Sequence, residues 1–231
     1  METMEARMVK LYARNNNHVA LHAIPGHFAT SHSHINFYID MTSLKTRANE
    51  AQEVAKSLAG DYVNSTVVDT IVCMDGTEVV GAYLAQEFEK RGFRNTNLHD
   101  TIYVVTPEYN ANNQLIFRDN TIPAIKGKNV ILLLATTTTG LTVRRSLECV
   151  QYYGGTVHGI SSIFSTVKKV GGMEVHSVFN ADDVPGYQAF GRDECPYCKK
   201  GFAIEAMVNG FGYSQIIKKL DKGKKMLFYH V

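Results

Sequence analysis

Four short apolar runs of strand length lie along the middle of the chain. They read VDTIVCM, TIYVVT, NVILLLA and TVHGISSIFS, at residues 68–74, 101–106, 129–135 and 156–165. Between them lie stretches with apolar residues at helical spacing, the clearest at 77–92, where Gly92 is expected to end the helix, and at 141–155. Buried strands alternating with amphipathic helices favour right-handed crossovers and a parallel sheet covered on both faces. The sequence therefore predicts an α/β fold.

The rest of the chain yields fewer elements. Residues 43–60 are expected to form a further helix beneath the sheet, 173–179 a strand and 214–222 a last helix. The first forty residues are interpreted as a short helix followed by an irregular segment rich in histidine and aromatic residues. A length of 231 residues fits one domain without a linker or repeat.

Charge and composition exclude several function classes. Lys plus Arg number 24 and Asp plus Glu 22, so the net charge of +2 gives no basic surface for nucleic acid or for a membrane. The longest apolar runs are far shorter than the roughly 18 residues of a membrane span. No secretory leader is recognised at the start of the sequence, and four cysteines do not resemble a disulfide framework. A cytoplasmic location is therefore expected.

The turns that follow the predicted strands are the places where ligands should bind, because the crevice of a parallel sheet lies beyond its carboxyl ends. The most informative turn reads ATTTTGLT, at 135–142. Four threonine hydroxyls and the backbone N–H groups of a helix start favour a bound phosphate. A plain helix cap explains the same residues equally well. Neither the Walker motif nor the dinucleotide-binding glycine motif occurs.

Three segments, in order along the chain, resemble the type I phosphoribosyltransferases, and among them the orotate phosphoribosyltransferases. VILLLATTTTGLT resembles the loop that binds phosphoribosyl pyrophosphate (PRPP), with the family's Thr-Thr-Gly-x-Thr turn. GHFATSHSHINFYID, at 26–40, is similar to the N-terminal motif of the orotate enzymes. CPYCKKG, at 195–201, is similar to a Cys-Pro-x-Cys segment near their C-terminus.

The resemblance implies a fold, a reaction and a set of site residues. The core would span about 41–170, with a small hood formed by 1–40 and 171–231. The reaction would transfer phosphoribosyl from PRPP to orotate or a related base in pyrimidine nucleotide biosynthesis, with Mg²⁺ and as a homodimer. The implied phosphate-binding residues are Thr138, Thr139, Gly140, Leu141 and Thr142. The implied pyrophosphate loop is Met74, Asp75, Gly76, Thr77 and Glu78, and the implied base and hood residues are His27, Phe28, Phe37 and Tyr38.

Two departures from the family pattern bear on PRPP. The paired acids that bind the ribose hydroxyls in the family fall on Leu134 and Ala135. Losing two hydrogen bonds to charged groups costs about 3–6 kcal/mol, or roughly a hundred- to ten-thousand-fold in affinity. The loop after the second strand, 106–123, has Arg118 as its one basic residue beside Glu108 and Asp119. The alternative function is therefore a catalytically degenerate protein that binds a nucleotide or another phosphorylated ligand in a regulatory role.

Cysteine and histidine supply the remaining candidate chemistry. Cys195 and Cys198 form a C-x-x-C pair that suits a tight turn, a structural Zn²⁺ site or, less readily, disulfide exchange. Zinc needs two further ligands, for which a second subunit or His176 are the candidates. His27, His32 and His34 lie within eight residues, which suggests a metal site. They are nevertheless interpreted as solvated or packed in the hood, because no strand or helix is predicted to hold them on one face. Asp75 and Glu78 suit either Mg²⁺ binding, acid–base chemistry or interaction with a helix N-terminus.

Overall fold

The computed structural model describes residues 3–90 and 101–216, which form three sheets and five α-helices. The strands are β1 Val9–Ala13, β2 Asn16–Ala29, β3 His34–Asp40, β4 Thr70–Cys73, β5 Tyr103–Val105, β6 Glu108–Tyr109, β7 Leu115–Ile116, β8 Asn129–Thr137, β9 Thr156–Ser165, β10 Lys169–Val170, β11 Met173–Asn180, β12 Ala189–Phe190, β13 Ala206–Asn209 and β14 Gly212–Gln215. The helices are α1 Thr42–Thr46, α2 Ala48–Ala59, α3 Glu78–Glu89, α4 Leu141–Tyr152 and α5 Pro196–Lys199. Single 3₁₀ turns lie at Glu5–Arg7, Ile122–Ala124, Ala181–Asp183 and Arg192–Glu194.

The central sheet has the order β10-β11-β9-β8-β4-β5. Every pair in it is parallel except β10 with β11 at one edge. The four apolar runs of the sequence form β4, β5, β8 and β9, and the predicted strand at 173–179 forms β11. The predicted fold class, an α/β fold with a parallel sheet flanked by helices, is confirmed.

Strand β8 shows how both faces of this sheet are covered. Its side chains point alternately to opposite faces, so Ile131, Leu133 and Ala135 join one hydrophobic cluster with α2 and α3. Val130, Leu132 and Leu134 join a second cluster that includes α4. All six are fully buried. A continuous apolar run is thus what a strand between two helical layers requires.

The second large sheet is built from both ends of the chain, and we call it the hood sheet. Its order is β12-β3-β2-β13-β14, with β1 paired to the first half of β2. It has its own small core, to which Phe28, Ile35 and Tyr38 belong. The carboxyl ends of β4 and β8 in the central sheet and the β2–β3 turn of the hood sheet line a common cavity.

Three sequence-based expectations fail here. The segment before residue 40 is not irregular, because most of it forms β2 and β3, in which His27, His34 and Asn36 are buried although they are polar. The helix expected at 43–60 is divided at Arg47, which has an extended backbone. Ser214 and Gln215 lie in β14 and Ile216 follows it outside any helix, while 217–222, like Gly92, lie outside the described residues. No helix within 3–90 or 101–216 is long and apolar enough to cross a membrane.

Candidate functional site

A cavity of about 230 Å³ lies between the hood sheet and the carboxyl ends of the central strands. The central sheet contributes Asp75, after β4, and Thr136–Val143, from the end of β8 into α4. The hood contributes Thr30–Ser33, Ile35, Tyr38, Ile39 and Val208–Gly210, and Phe164 and Tyr187 complete the wall. The position agrees with the general rule that ligands bind beyond the carboxyl ends of parallel strands.

The turn from β8 into α4 is shaped by Gly140. Its φ is +74°, and a β-carbon there would lie 2.7 Å from Val170 Cγ2, so both the backbone and the space require glycine. No side chain caps α4. The N–H groups of the first helical turn have no acceptor within the helix, and such groups favour an anion.

Threonine hydroxyls surround this helix end. Thr137 is buried, and its Oγ1 has no hydrogen-bond partner among residues 3–90 and 101–216. Thr139 Oγ1 lies 3.5 Å from the N–H of Leu141, a distance too long for a strong bond. The main chain itself is held in place, since the hydroxyl of Thr166 donates to the carbonyl of Thr138 at 2.9 Å. The backbone of the turn is therefore fixed, while the hydroxyls of Thr137 and Thr139 have no strong partner among the described residues.

All five residues of the phosphate turn inferred from resemblance line the cavity: Thr138, Thr139, Gly140, Leu141 and Thr142. Of the inferred pyrophosphate loop, Asp75 lines it. Met74 is buried, Thr77 Oγ1 donates to the carbonyls of Met74 and Leu133, and Glu78 accepts from Thr106 Oγ1. Gly76, with φ +76°, lies in the tight turn beside Asp75, whose φ is +57°.

Of the four base and hood residues inferred from resemblance, one lines the cavity and three do not. Tyr38 lines the cavity, whereas His27, Phe28 and Phe37 do not. The turn at 30–33 lies there instead, and the sequence offered one signal for it. Its two serines and one threonine sit between apolar residues, a composition typical of a hairpin turn.

The cavity wall carries little charge. Among the residues that line it, Asp75 is the one carboxylate, His32 is the one imidazole, and neither lysine nor arginine occurs. A buried cation lies behind the wall, because Lys45 Nζ donates to the carbonyls of Asp75 and Gly210. Burial lowers the pKa of Lys45, although Asp75, Glu78 and Asp40 act in the opposite direction.

Burial raises the pKa of Asp75, with a smaller contribution from Glu78 and an opposing one from Lys45. The folded protein therefore holds this proton more tightly than the unfolded chain, and stability falls as pH rises from the usual value, about 4, through the raised pKa. Asp75→Asn removes that loss and tolerates the positive φ. Urea unfolding from pH 4 to 7 should show the variant gaining stability relative to the parent as pH rises. A constant difference would contradict this.

The positions that depart from the family pattern do not reach the cavity. Leu134 and Ala135 are fully buried on opposite faces of β8 and lie outside the cavity wall. Arg118, the basic residue of the following loop, pairs with Glu108 through Nε at 3.0 Å and Nη2 at 2.7 Å. That pair connects β6, which contains Glu108, with the segment that follows β7. The arginine thus has a partner within its own loop.

The four groups His27, His34, Cys195 and Cys198 converge in the hood, outside the cavity. The sequence interpretation that His27 and His34 lack an element to hold them together was wrong, because they lie on the paired strands β2 and β3. His176, the candidate ligand named from sequence, instead lies 3.5 Å from Asp61. Its place in the cluster is taken by His27 and His34, which the sequence did not link to the two cysteines.

Comparison with known proteins finds similarity to solved structures and none to family models or curated sequences. No family model and no curated protein sequence matches it. It is similar to the orotate phosphoribosyltransferase of Mycobacterium tuberculosis H37Rv in complex with Fe(III) dicitrate, at 15% identity and a TM-score of 0.48, over 71% of this chain and 93% of that one. It is also similar to the adenine phosphoribosyltransferase of Thermoanaerobacter pseudethanolicus, at 16% identity and a TM-score of 0.47, over 77% of this chain and 97% of that one.

A third solved structure is the adenine phosphoribosyltransferase of Leishmania donovani, at 16% identity and a TM-score of 0.46, over 65% of this chain and 73% of that one. Each of these TM-scores is 0.48 or lower. What this chain binds must therefore be inferred from its own side chains. In structure, the chain is similar to solved orotate and adenine phosphoribosyltransferases.

Proposed function

We propose that this protein binds the phosphate of a nucleoside monophosphate at the Thr136–Thr142 turn, with the rest of the ligand beneath the hood. The observation that carries the proposal is the N-terminus of α4, which has no side-chain cap and lies in the cavity wall among the threonines of this turn. Thr137, in the same turn, has a buried hydroxyl without a partner among residues 3–90 and 101–216, which costs about 1–3 kcal/mol. Rotation of the Thr137 side chain toward the cavity would give that hydroxyl a phosphate oxygen as its partner.

The low charge of the wall favours a monophosphate over PRPP. One phosphate is satisfied by helix N–H groups and hydroxyls. A ligand that carries a pyrophosphate as well needs cations, and the lining residues include neither lysine nor arginine. Arg118 is paired with Glu108, and Leu134 and Ala135 offer no acceptor for ribose hydroxyls. These contacts favour binding without phosphoribosyl transfer.

Thr139→Val tests the phosphate site, since it removes a hydroxyl and keeps the side-chain shape. We expect the dissociation constant of uridine 5′-monophosphate, measured by calorimetry, to rise about 10- to 100-fold, the value of one hydrogen bond to a charged group. Thr156→Val is the matched control, because Thr156 is exposed at the opposite end of the sheet. Absence of any monophosphate binding by the parent would contradict the proposal.

Phosphoribosyl transfer to orotate is the second candidate, and the position of the cavity favours it. Asp75 and the threonine turn meet there beneath Tyr38, which leaves room for a base beside a phosphate. Mg²⁺ is commonly held by one or two carboxylates plus substrate phosphates, and Asp75 would supply the one carboxylate of the wall. The metal would then be held chiefly by the substrate and would neutralise the leaving pyrophosphate.

A spectrophotometric assay with orotate, PRPP and Mg²⁺ separates the two candidates. Turnover that Asp75→Asn reduces would establish the transferase and the role of that carboxylate. Monophosphate binding without turnover would establish the binding protein. Analytical ultracentrifugation with and without ligand would test the homodimer that the family resemblance implies.

A further inference from the structure

Four side chains from distant parts of the sequence meet in the hood: His27, His34, Cys195 and Cys198. Each offers one atom that binds metals, and these four atoms all lie within 4.8 Å of one another. His27, His34 and Cys195 are buried, while Cys198 is the exposed member. Two imidazoles and two thiols form one of the ligand sets typical of structural zinc sites.

The fold explains the meeting. His34 is the direct cross-strand partner of Ala29. His27 is two residues before Ala29 on the same strand, in the bulge between Pro25 and Phe28, and there its ring meets that of His34. At the edge of β3, β12 pairs Phe190 with His34. The chain then turns into α5, which places Cys195 and Cys198 against the two histidines.

Four of the six distances among these atoms are close to those of a tetrahedron around one metal ion, and the other two are within 4.8 Å. Zn–N bonds of about 2.0–2.1 Å and Zn–S bonds of about 2.3 Å place two nitrogens about 3.3 Å apart, and a nitrogen and a sulfur about 3.6 Å apart. His27 Nε2 lies 3.2 Å from His34 Nδ1. His27 Nε2 also lies 3.4 Å from Cys195 Sγ and 3.7 Å from Cys198 Sγ. His34 Nδ1 lies 3.2 Å from Cys198 Sγ.

Hydrogen bonding alone does not account for these contacts. A ring nitrogen makes one hydrogen bond in the ring plane, yet three polar atoms crowd His27 Nε2. The other nitrogen of His27, Nδ1, lies 3.1 Å from the carbonyl of Phe202. Donation to that carbonyl places the proton on Nδ1 and leaves the lone pair of Nε2 facing the cluster. Tyr197 stacks on the ring at 5.3 Å and helps fix its orientation.

We propose that His27, His34, Cys195 and Cys198 bind one Zn²⁺ ion in each chain. His27 ligates through Nε2, His34 through Nδ1, and both cysteines as thiolates, each releasing its proton when the metal binds. Four protein ligands leave no open position, so the ion is structural rather than catalytic.

The position of the ion gives it a defined task. Its two histidines flank the hairpin turn at 30–33, which lines the cavity, and its two cysteines belong to the C-terminal half of the hood. The metal therefore joins the two ends of the chain and holds the turn over the cavity. This task does not depend on which ligand the cavity binds.

Metal analysis of the full-length protein, purified without chelators and under reducing conditions, tests the proposal. We expect about one zinc ion per chain. Exchange for Co²⁺ should give the intense visible absorption of tetrahedral cobalt and the near-ultraviolet band of a cobalt–thiolate bond. The Co²⁺ spectrum reports on the parent protein, so the test does not depend on a variant that folds.

Variants identify the ligands. His34→Ala and Cys195→Ser should each lower zinc content or affinity about tenfold or more. Two controls should leave zinc content unchanged: His18→Ala, at an exposed histidine of the same strand β2, and Cys149→Ser, at a buried cysteine within α4. Zinc below about one-tenth of an ion per chain with no cobalt spectrum would overturn the proposal. So would a Cys195–Cys198 disulfide in the reduced preparation, or equal loss in the controls.

Discussion

Gly140→Ala is expected to abolish the binding of uridine 5′-monophosphate and to lower the free energy of unfolding by about 2–5 kcal/mol. The left-handed backbone of Gly140 contributes about 1–2 kcal/mol of this loss when a β-carbon is added. The 2.7 Å approach to Val170 Cγ2 contributes about 1–3 kcal/mol more. The turn can relieve the backbone strain and the close contact with Val170 only by shifting. The first N–H groups of α4 then move away from the proposed phosphate position. Calorimetric titration and urea unfolding measure the two effects.

Gly127→Ala is the matched control. Gly127 also has a positive φ, +69°, but nothing lies within 4 Å of the position of its β-carbon. It precedes β8, at the end of the sheet opposite the cavity. We expect the backbone cost alone, about 1–2 kcal/mol, and unchanged ligand binding. If Gly140→Ala bound the monophosphate as tightly as Gly127→Ala, the helix end would not be the phosphate site.

Leu134→Asp is expected to unfold the protein at neutral pH. Leu134 is fully buried in the hydrophobic cluster beside α4. Truncating a buried leucine costs about 2–5 kcal/mol, and burying an unpaired carboxylate adds several more, against a total stability of about 5–15 kcal/mol. Since burial raises the pKa of such a carboxyl, the loss grows as pH rises above about 4. Urea unfolding at pH 4 and pH 7 measures this dependence.

Leu134→Asn separates polarity from charge, because asparagine has nearly the volume of aspartate and does not titrate. Its loss of stability should be the same at both pH values. The comparison also addresses the acidic pair of the phosphoribosyltransferases. A Leu134→Asp variant that folded with parental stability and bound PRPP more tightly would mean that this position faces the ligand after all.

The central sheet could be predicted from the sequence because each of its features is local. The runs that became β4 and β8 are continuous and β-branched, and Val80, Leu84 and Phe88 of α3 repeat at helical spacing. A strand that is buried on both faces has a continuous apolar sequence, which can be recognised without knowing what the strand packs against. The turn at 135–142 could be recognised for the same reason, since its threonines and glycine are consecutive.

The hood could not be predicted in this way because its elements depend on distant partners. His27 and His34 look polar and solvated in the sequence, yet both are buried, and what surrounds them comes from residues 190–202. A bulge between Pro25 and Phe28 also interrupts the alternation that would have marked β2 as a strand. A C-x-x-C pair predicted half of a metal site, and the pairing of two strands supplied the other half.

The construction of the hood from both ends of the chain sets an order for folding during synthesis. The backbone N–H of Gln188 donates to Oδ1 of Asn36, 152 residues earlier in the chain, and β13 pairs with β2. When the ribosome has made the β2–β3 hairpin, β1 already covers the first half of β2, but the partners of the β3 edge and of the end of β2 do not yet exist. The central strands, in contrast, meet neighbours made shortly before them. We therefore expect the nascent hairpin to expose these two edges until β12 and β13 have been made and cover them.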